Sequence, residues 1–148
     1  MIFKSLKESK KFLKTLANKI KKDLKKKKRL IVIFCGHLGV GKTTFIKEIA
    51  KNLGIKESLK SPSFILWQIY PFKLNKANYF LNHIDLYRIS AKDILKLNLK
   101  KQLKRKFNIF LIEWGEKLES YLLKNKIKYI KISIKKIGKF REVNIEEK

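Results

Sequence analysis

One stretch of the chain, Gly36-His37-Leu38-Gly39-Val40-Gly41-Lys42-Thr43, sets a lysine and a hydroxyl directly behind three spaced glycines. It satisfies the pattern G-x-x-x-x-G-K-[ST] without a gap. Glycines let a loop curl until successive backbone N–H groups point at one centre, and a helix opening at the loop's end adds the positive end of its dipole. That arrangement cradles the phosphates of a nucleoside triphosphate. The Lys42 ammonium would bridge the β- and γ-phosphates as a point charge, and the Thr43 hydroxyl would ligate Mg²⁺. ATP and Mg²⁺ are therefore the expected cofactors, with nucleotide contacts running from Gly36 through Thr44. The alternative is a chance glycine-rich turn. The strand before the loop and the helix after it supply the context that such a turn would lack.

A phosphate cradle of this kind also needs carboxylates for the metal and for the attacking water, and the chain has only 12 acidic residues. Glu113 ends the apolar run Ile109-Phe110-Leu111-Ile112, a Walker B arrangement that brings a carboxylate to the carboxyl edge of a sheet. Asp85, within His83-Ile84-Asp85-Leu86-Tyr87-Arg88, is the second candidate. Both are expected to serve as metal ligands and catalytic acids, although either could instead be a surface acid in an ion pair. Which of the two is the principal ligand stays open at this level. His83 and His37 are the only histidines, and their spacing is not that of a zinc site.

The elements that must position these residues are legible as changes of period. Ser5-Leu6-Lys7-Glu8 has capping-box spacing, and Leu6, Leu13, Leu16, Ala17, Ile20 and Leu24 follow at helical intervals. Leu30 to Cys35 reads as a buried strand, Thr43 to Leu53 as a helix closed by Gly54. A loop holding Ser61-Pro62-Ser63-Phe64 precedes an expected strand from Ile65 to Tyr70, which Pro71 should stop. Leu74 to Ala77 reads as an exposed connection, and Phe80 to Leu86 as another strand. Ser90 to Asp93 opens a helix through Leu97, and a second basic helix reaches Lys106. Ile109 to Trp114 is a buried strand, Glu116 to Lys124 a helix, and Ile127 to Ile137 with Phe140 to Ile145 a terminal hairpin. Strands alternating with helices predict one α/β domain over residues 1–148: a P-loop NTPase fold, its mixed sheet partly parallel, flanked by helices and finished by the C-terminal antiparallel hairpin.

Composition narrows the class further. A 45% hydrophobic share across 148 residues is that of a folded chain with a core. The longest apolar run, Leu30 to Cys35, is too short to span a bilayer. The first residues lack an apolar core of signal-peptide length, and Glu8 does not suit a transit peptide. A single cysteine, Cys35, forms no internal disulfide and reads as a small buried hydrophobe. A cytoplasmic location without membrane attachment is the simplest expectation. The net charge of +26 would attract nucleic acid, yet only Arg29, Arg88, Arg105 and Arg141 of the 38 basic residues are arginine. Selection for phosphate or base readout should enrich arginine, so the lysine excess reads mainly as genome composition, with weak or indirect tRNA attraction as a consequence.

Four separated motifs give the chain a resemblance. The loop GHLGVGKTTF, the segment SPSF, the hexad HIDLYR and the run LIEWGE, in this order and spacing across about residues 5 to 120, resemble the bacterial TsaE proteins, once called YjeE. The resemblance implies a small P-loop ATPase subunit of the machinery that makes threonylcarbamoyladenosine in tRNA. It would dock on a TsaB-like and TsaD-like pair, hydrolyse ATP to support repeated turnover, and leave modification of the tRNA to its partners. By the same resemblance Lys42 and Thr43 match the nucleotide and magnesium positions. Ser63 matches a switch-like position able to sense the γ-phosphate or its metal, Asp85 the aspartate of the H-x-D-x-Y-R motif, and Glu113 with Trp114 the glutamate–tryptophan pair. Two positions depart from the family pattern: His37 stands where an acid is usual, and Val40 where alanine is commoner. Neither side chain is needed for a backbone cradle. Trp114, Tyr87 and Phe64 read equally as core packing and as partner contacts.

Two other classes stay in view. A small-molecule kinase could use the same loop, but would need arginine clamps for which Arg88 and Arg105 are the candidates. A basic RNA-binding module with a vestigial loop would not need the intact loop or the paired acids.

Overall fold

The structure, a computed structural model, describes residues 1–60, 66–96 and 98–148. The short strand β1 (Ile2–Phe3) leads into helix α1 (Leu6–Lys27). Ser5 caps α1 by accepting the Glu8 N–H at 3.2 Å, and the Glu8 carboxylate reaches back to the Lys4 N–H at 2.7 Å. This is the reciprocal pairing that a capping box supplies. Lys28 closes the helix in the left-handed region and feeds strand β2 (Arg29–Cys35). Helix α2 (Lys42–Asn52) follows the glycine loop. Strands β3 (Trp67–Leu74) and β4 (Ala77–Asp85) form a hairpin, and the short helices α3 (Ala91–Lys96) and α4 (Leu99–Gln102) lead to β5 (Asn108–Glu113). Helix α5 (Glu116–Lys124) and the hairpin of β6 (Ile130–Ile137) and β7 (Phe140–Glu147) complete the chain.

All seven strands form one sheet in the order β1-β7-β6-β2-β5-β4-β3. The centre is parallel, β6, β2, β5 and β4 running the same way, and the outer strands are antiparallel. Alternate residues of β2 explain why it is apolar from Leu30 to Cys35. Val32 and Phe34 face a core shared with α1 and α2, whereas Ile31, Ile33 and Cys35 face a second core under α3, α4 and α5. A parallel strand covered on both faces has no side left for polar residues. Strand β5 divides likewise, Ile109 and Leu111 on one side, Phe110 and Ile112 on the other. Burial pushes the Cys35 thiol up to about 12, helped by the nearby Glu116 carboxylate, as befits a packed hydrophobe rather than a nucleophile. Among the described residues no helix is long and apolar enough to cross a membrane.

The predicted mixed α/β architecture is present, and the departures are local. Pro71 does not stop β3, which runs on to Leu74. The strand is the sheet's edge, where a missing backbone donor breaks no second ladder. Strand β4 begins at Ala77, so the connection is only Asn75 and Lys76, both at positive φ (50° and 64°). Two successive residues at positive φ make a tight hairpin turn. Strand β6 starts at Ile130, three residues later than the alternation suggests, and α4 stops at Gln102, short of Lys106. Strand β1 is too short to show a period. The Ile65 start of β3 and the Leu97 end of α3 lie outside the described residues.

The turn yields a test. Lys76 sits at φ 64°, a conformation that strains a lysine and leaves glycine at ease. Lys76→Gly is expected to stabilise the protein by up to about 1 kcal/mol, a rise of roughly 2–4 °C in a thermal melt. A lowered melting temperature would show that the lysine side chain contributes more than its backbone costs.

Candidate nucleotide site

Parallel pairing puts the chemistry at one edge. In the β2–β5 ladder Phe34 stands opposite Glu113, and in the β4–β5 ladder Asp85 stands opposite Glu113. The loop leaving β2 therefore begins beside two acids that end the neighbouring strands, at the carboxyl edge where ligands of such sheets collect. Neither acid is a surface residue: Glu113 is 3% exposed and Asp85 7%.

The loop is built on backbone positions closed to most side chains. Gly36 adopts φ 140°, and a Cβ there would lie 2.3 Å from the Ile134 carbonyl oxygen of β6. Gly41, at φ 104°, is the residue from which α2 starts. His37, Leu38 and Gly39 form the exposed tip, and Val40 is buried behind it. Arg141 of β7 donates from Nε to the Val40 carbonyl at 2.9 Å, so the terminal hairpin braces the loop through both its strands.

Lys42 is 4% exposed, and its ammonium donates to the Gly36 carbonyl at 2.6 Å and the His37 carbonyl at 3.0 Å. Its Nζ also stands 4.0 Å from the centre of the Trp114 ring, close enough for a cation–π contact. Burial draws the Lys42 pKa below that of an ordinary lysine, with the charges of Glu113, Glu116 and Asp85 opposing the change, since a low-dielectric site disfavours the charged form. The Thr43 hydroxyl lies 2.8 Å and 2.9 Å from the two Glu113 oxygens. Thr44 is exposed on the first turn of α2.

His83 completes the cluster. It is fully buried, and its Nε2 is 2.9 Å from Glu113 Oε1, while Nδ1 has no hydrogen-bond partner among the described residues. With the proton on Nε2, the ring donates to the carboxylate and leaves only an unpaired acceptor in the core. Asp85 accepts the Tyr87 N–H at 2.9 Å. Burial raises the Asp85 pKa, with the like charge of Glu113 adding to it, and the Tyr87 N–H, His83 and Lys42 working the other way. Lys117 donates to the Leu86, Tyr87 and Ile89 carbonyls at 2.7, 2.9 and 3.0 Å, fixing the segment behind Asp85.

The structure thus gathers Gly36 to Thr44, Asp85 and Glu113 at one place, while Ser63 lies outside the described residues. Trp114, half-buried at φ 58°, packs on the second core, covers Lys42 and contacts the exposed ring of Tyr87 at 5.0 Å. Arg88 and Arg105 are exposed, and the hydrogen bond found for Arg105 goes to Gln102. Three contributors receive no role from the sequence. His83 opens the HIDLYR hexad, which is its one signal. Arg141 could be suspected from the scarcity of arginine. Lys117 is one lysine among many and carries no signal.

A mixed sheet with a G-x-x-x-x-G-K-T loop between a central strand and a helix, and an acid ending the adjacent parallel strand, defines a P-loop NTPase fold. A family model described as "Threonylcarbamoyl adenosine biosynthesis protein TsaE" matches residues 4–143. The "tRNA threonylcarbamoyladenosine biosynthesis protein TsaE" of Rickettsia typhi is 38% identical over 120 residues, covering 80% of this chain and 75% of its own. The protein of the same name from Haemophilus influenzae is 32% identical over 120 residues, covering 81% and 70%. That from Treponema pallidum is 36% identical over 93 residues, covering 62% and 64%. The chain belongs to the TsaE family of tRNA threonylcarbamoyladenosine biosynthesis proteins.

Asp85 offers a test separate from activity. Its folded pKa lies above the unfolded value, so the cost of burying its charge is present at neutral pH and vanishes as pH falls below the unfolded value. Asp85→Asn keeps an oxygen for the Tyr87 N–H without the charge. It is expected to melt higher than the parent at pH 7, with the gap closing in acid. A variant that melts lower at neutral pH would show that the carboxylate is stabilised by its surroundings.

Proposed function

We propose that the chain is the Mg²⁺-ATP-binding and ATP-hydrolysing member of the threonylcarbamoyladenosine machinery, working in the cytoplasm with TsaD-like and TsaB-like proteins. The observation that carries this reading is the hydrogen bond from Thr43, at the start of α2, to Glu113, at the end of β5. It joins the residue suited to a metal with the carboxylate suited to hold it or its water.

The residues present fit such a ligand. Among the described residues nothing lies within 4 Å of a Cβ at Gly39 or Gly41, which leaves room along the loop where phosphate oxygens would approach its N–H groups. Lys42 has three N–H donors and spends two on loop carbonyls, leaving one for an incoming phosphate oxygen. Thr43 can give its proton to Glu113 and keep its lone pairs for a cation. Thr43, Glu113 and Asp85 are the residues that would hold Mg²⁺ among those described, and Ser63 is the further candidate. Bound Mg²⁺ would supply positive charge against the charge developing on the transferred phosphoryl group. Glu113, held in place by Thr43 and His83, would orient the attacking water. Arg88 and Arg105, the arginines a kinase would need as clamps, make no hydrogen bond to the glycine loop among the described residues.

Lys42→Ala is expected to abolish tight ATP binding, measured by calorimetry, whereas Thr43→Ala should lose chiefly its Mg²⁺ dependence. Unchanged affinity in the lysine variant would sink the assignment of the loop. Glu113→Gln should keep ATP bound and slow hydrolysis by about 10²-fold or more, assayed with the TsaB-like and TsaD-like pair present. An unaltered rate would remove Glu113 from the chemistry.

A further inference from the structure

The opposite edge of the sheet carries an open groove of about 870 Å³. It lies where β2, β5 and β6 begin, and the stretch of β2 from Val32 to Cys35 separates it from the glycine loop. A strand segment of that length spans roughly 13 Å. Six cations from three stretches of chain line the groove: Lys27 and Arg29 at the α1–β2 junction, Lys104 and Lys106 before β5, and Lys126 and Lys128 between α5 and β6. Among the described residues, none of the six has a carboxylate within ion-pair distance. The carboxylate on the wall, Glu147, is engaged by Lys19, and Lys148 beside it is held by Glu119 and Glu146.

A lysine-rich composition alone spreads cations over every exposed face. Here the acid of a concavity is already engaged while six of its seven cations are not. Like charges around a hollow repel one another and focus a positive potential that only anions relieve.

We propose that this groove binds the phosphate backbone of RNA, independently of the nucleotide site. Arg29 is the single guanidinium on the wall. Lysines act as compact point charges suited to phosphate oxygens, so the contact holds backbone without reading base sequence. A lipid surface fits less well, because the cations surround a hollow instead of bordering an apolar helix face. The family's pathway acts on tRNA, which presents such a backbone. The inference uses no residue of the Gly36–Thr43 loop, so it stands or falls apart from ATP binding.

The test compares two full-length variants, each with four lysines changed to glutamine and therefore the same net charge. One is Lys104→Gln, Lys106→Gln, Lys126→Gln and Lys128→Gln. The other is Lys7→Gln, Lys10→Gln, Lys11→Gln and Lys14→Gln on the first half of α1, where the same number of lysines lines a smaller groove that also holds Glu8 and Glu48. At the rise of a helix, Lys14 stands roughly 20 Å from Lys27 along the axis, and the other three lie farther away. All eight side chains are exposed, and matched thermal melts would verify that both variants fold. Binding to an unmodified tRNA transcript without nucleotide is read by fluorescence anisotropy between about 50 and about 200 mM salt. The groove variant is expected to bind at least about tenfold more weakly, with a log–log salt slope shallower by about 3, and the α1 variant to stay within about twofold of the parent. Equal losses in the two variants would mean diffuse attraction and overturn the site, as would an unaltered groove variant. Displacement of the tRNA by millimolar inorganic phosphate at matched ionic strength would show a free-anion site only, and would overturn it too.

Discussion

A carboxylate buried at the end of a central strand must be satisfied where it stands, and Glu113 is satisfied by the two elements the site has to unite. Thr43 reaches it from the first turn of α2 and His83 from β4. The parallel pairing of β5 with both β2 and β4 makes this possible, because it ends the three strands level with one another. Were β5 to slip by one residue, Glu113 would turn to the other face and both contacts would be lost. The two-sided core, with alternate residues of β2 and β5 packed against helices on either face, holds that register.

The surrounding polar contacts serve the same edge. Lys42 shares its charge among two carbonyls and the face of Trp114, Lys117 gathers three carbonyls of the segment after β4, and Arg141 holds the loop from behind. In each case a long cationic side chain satisfies backbone oxygens that no ladder reaches. Lysine abundance thus has a structural use here that is distinct from surface solvation.

Most of the positioning elements were legible in the sequence because they repeat. The helical spacing of Leu13, Leu16, Ala17, Ile20 and Leu24, the unbroken apolar runs of β2 and β5, and the glycine pattern each reflect a local physical demand. What escaped depends on neighbours the sequence does not display. Pro71 sits within a strand only because that strand is outermost, and β1 exists only because β7 offers it an edge. Asn75 and Lys76 turn a hairpin without the glycine that would announce it. Asp85 and Glu113 could be proposed from their strand ends, but the role of His83 as their neighbour needed the register of β4 against β5. Arg141 and Lys117 act across long separations, which no period encodes.

The bracing of the loop also sets an order of events during synthesis. Gly36 packs against the Ile134 carbonyl, and Val40 is held by Arg141, a contact spanning 101 residues of chain. Ribosomes add roughly 5–20 residues per second, so the loop emerges several seconds or more before its support exists. Through that interval α2 can form from local signals, whereas β2 waits for β5 and β6, and the loop between them lacks the backbone that fixes its curvature. The curvature of the loop is therefore a late, long-range property of a segment made early.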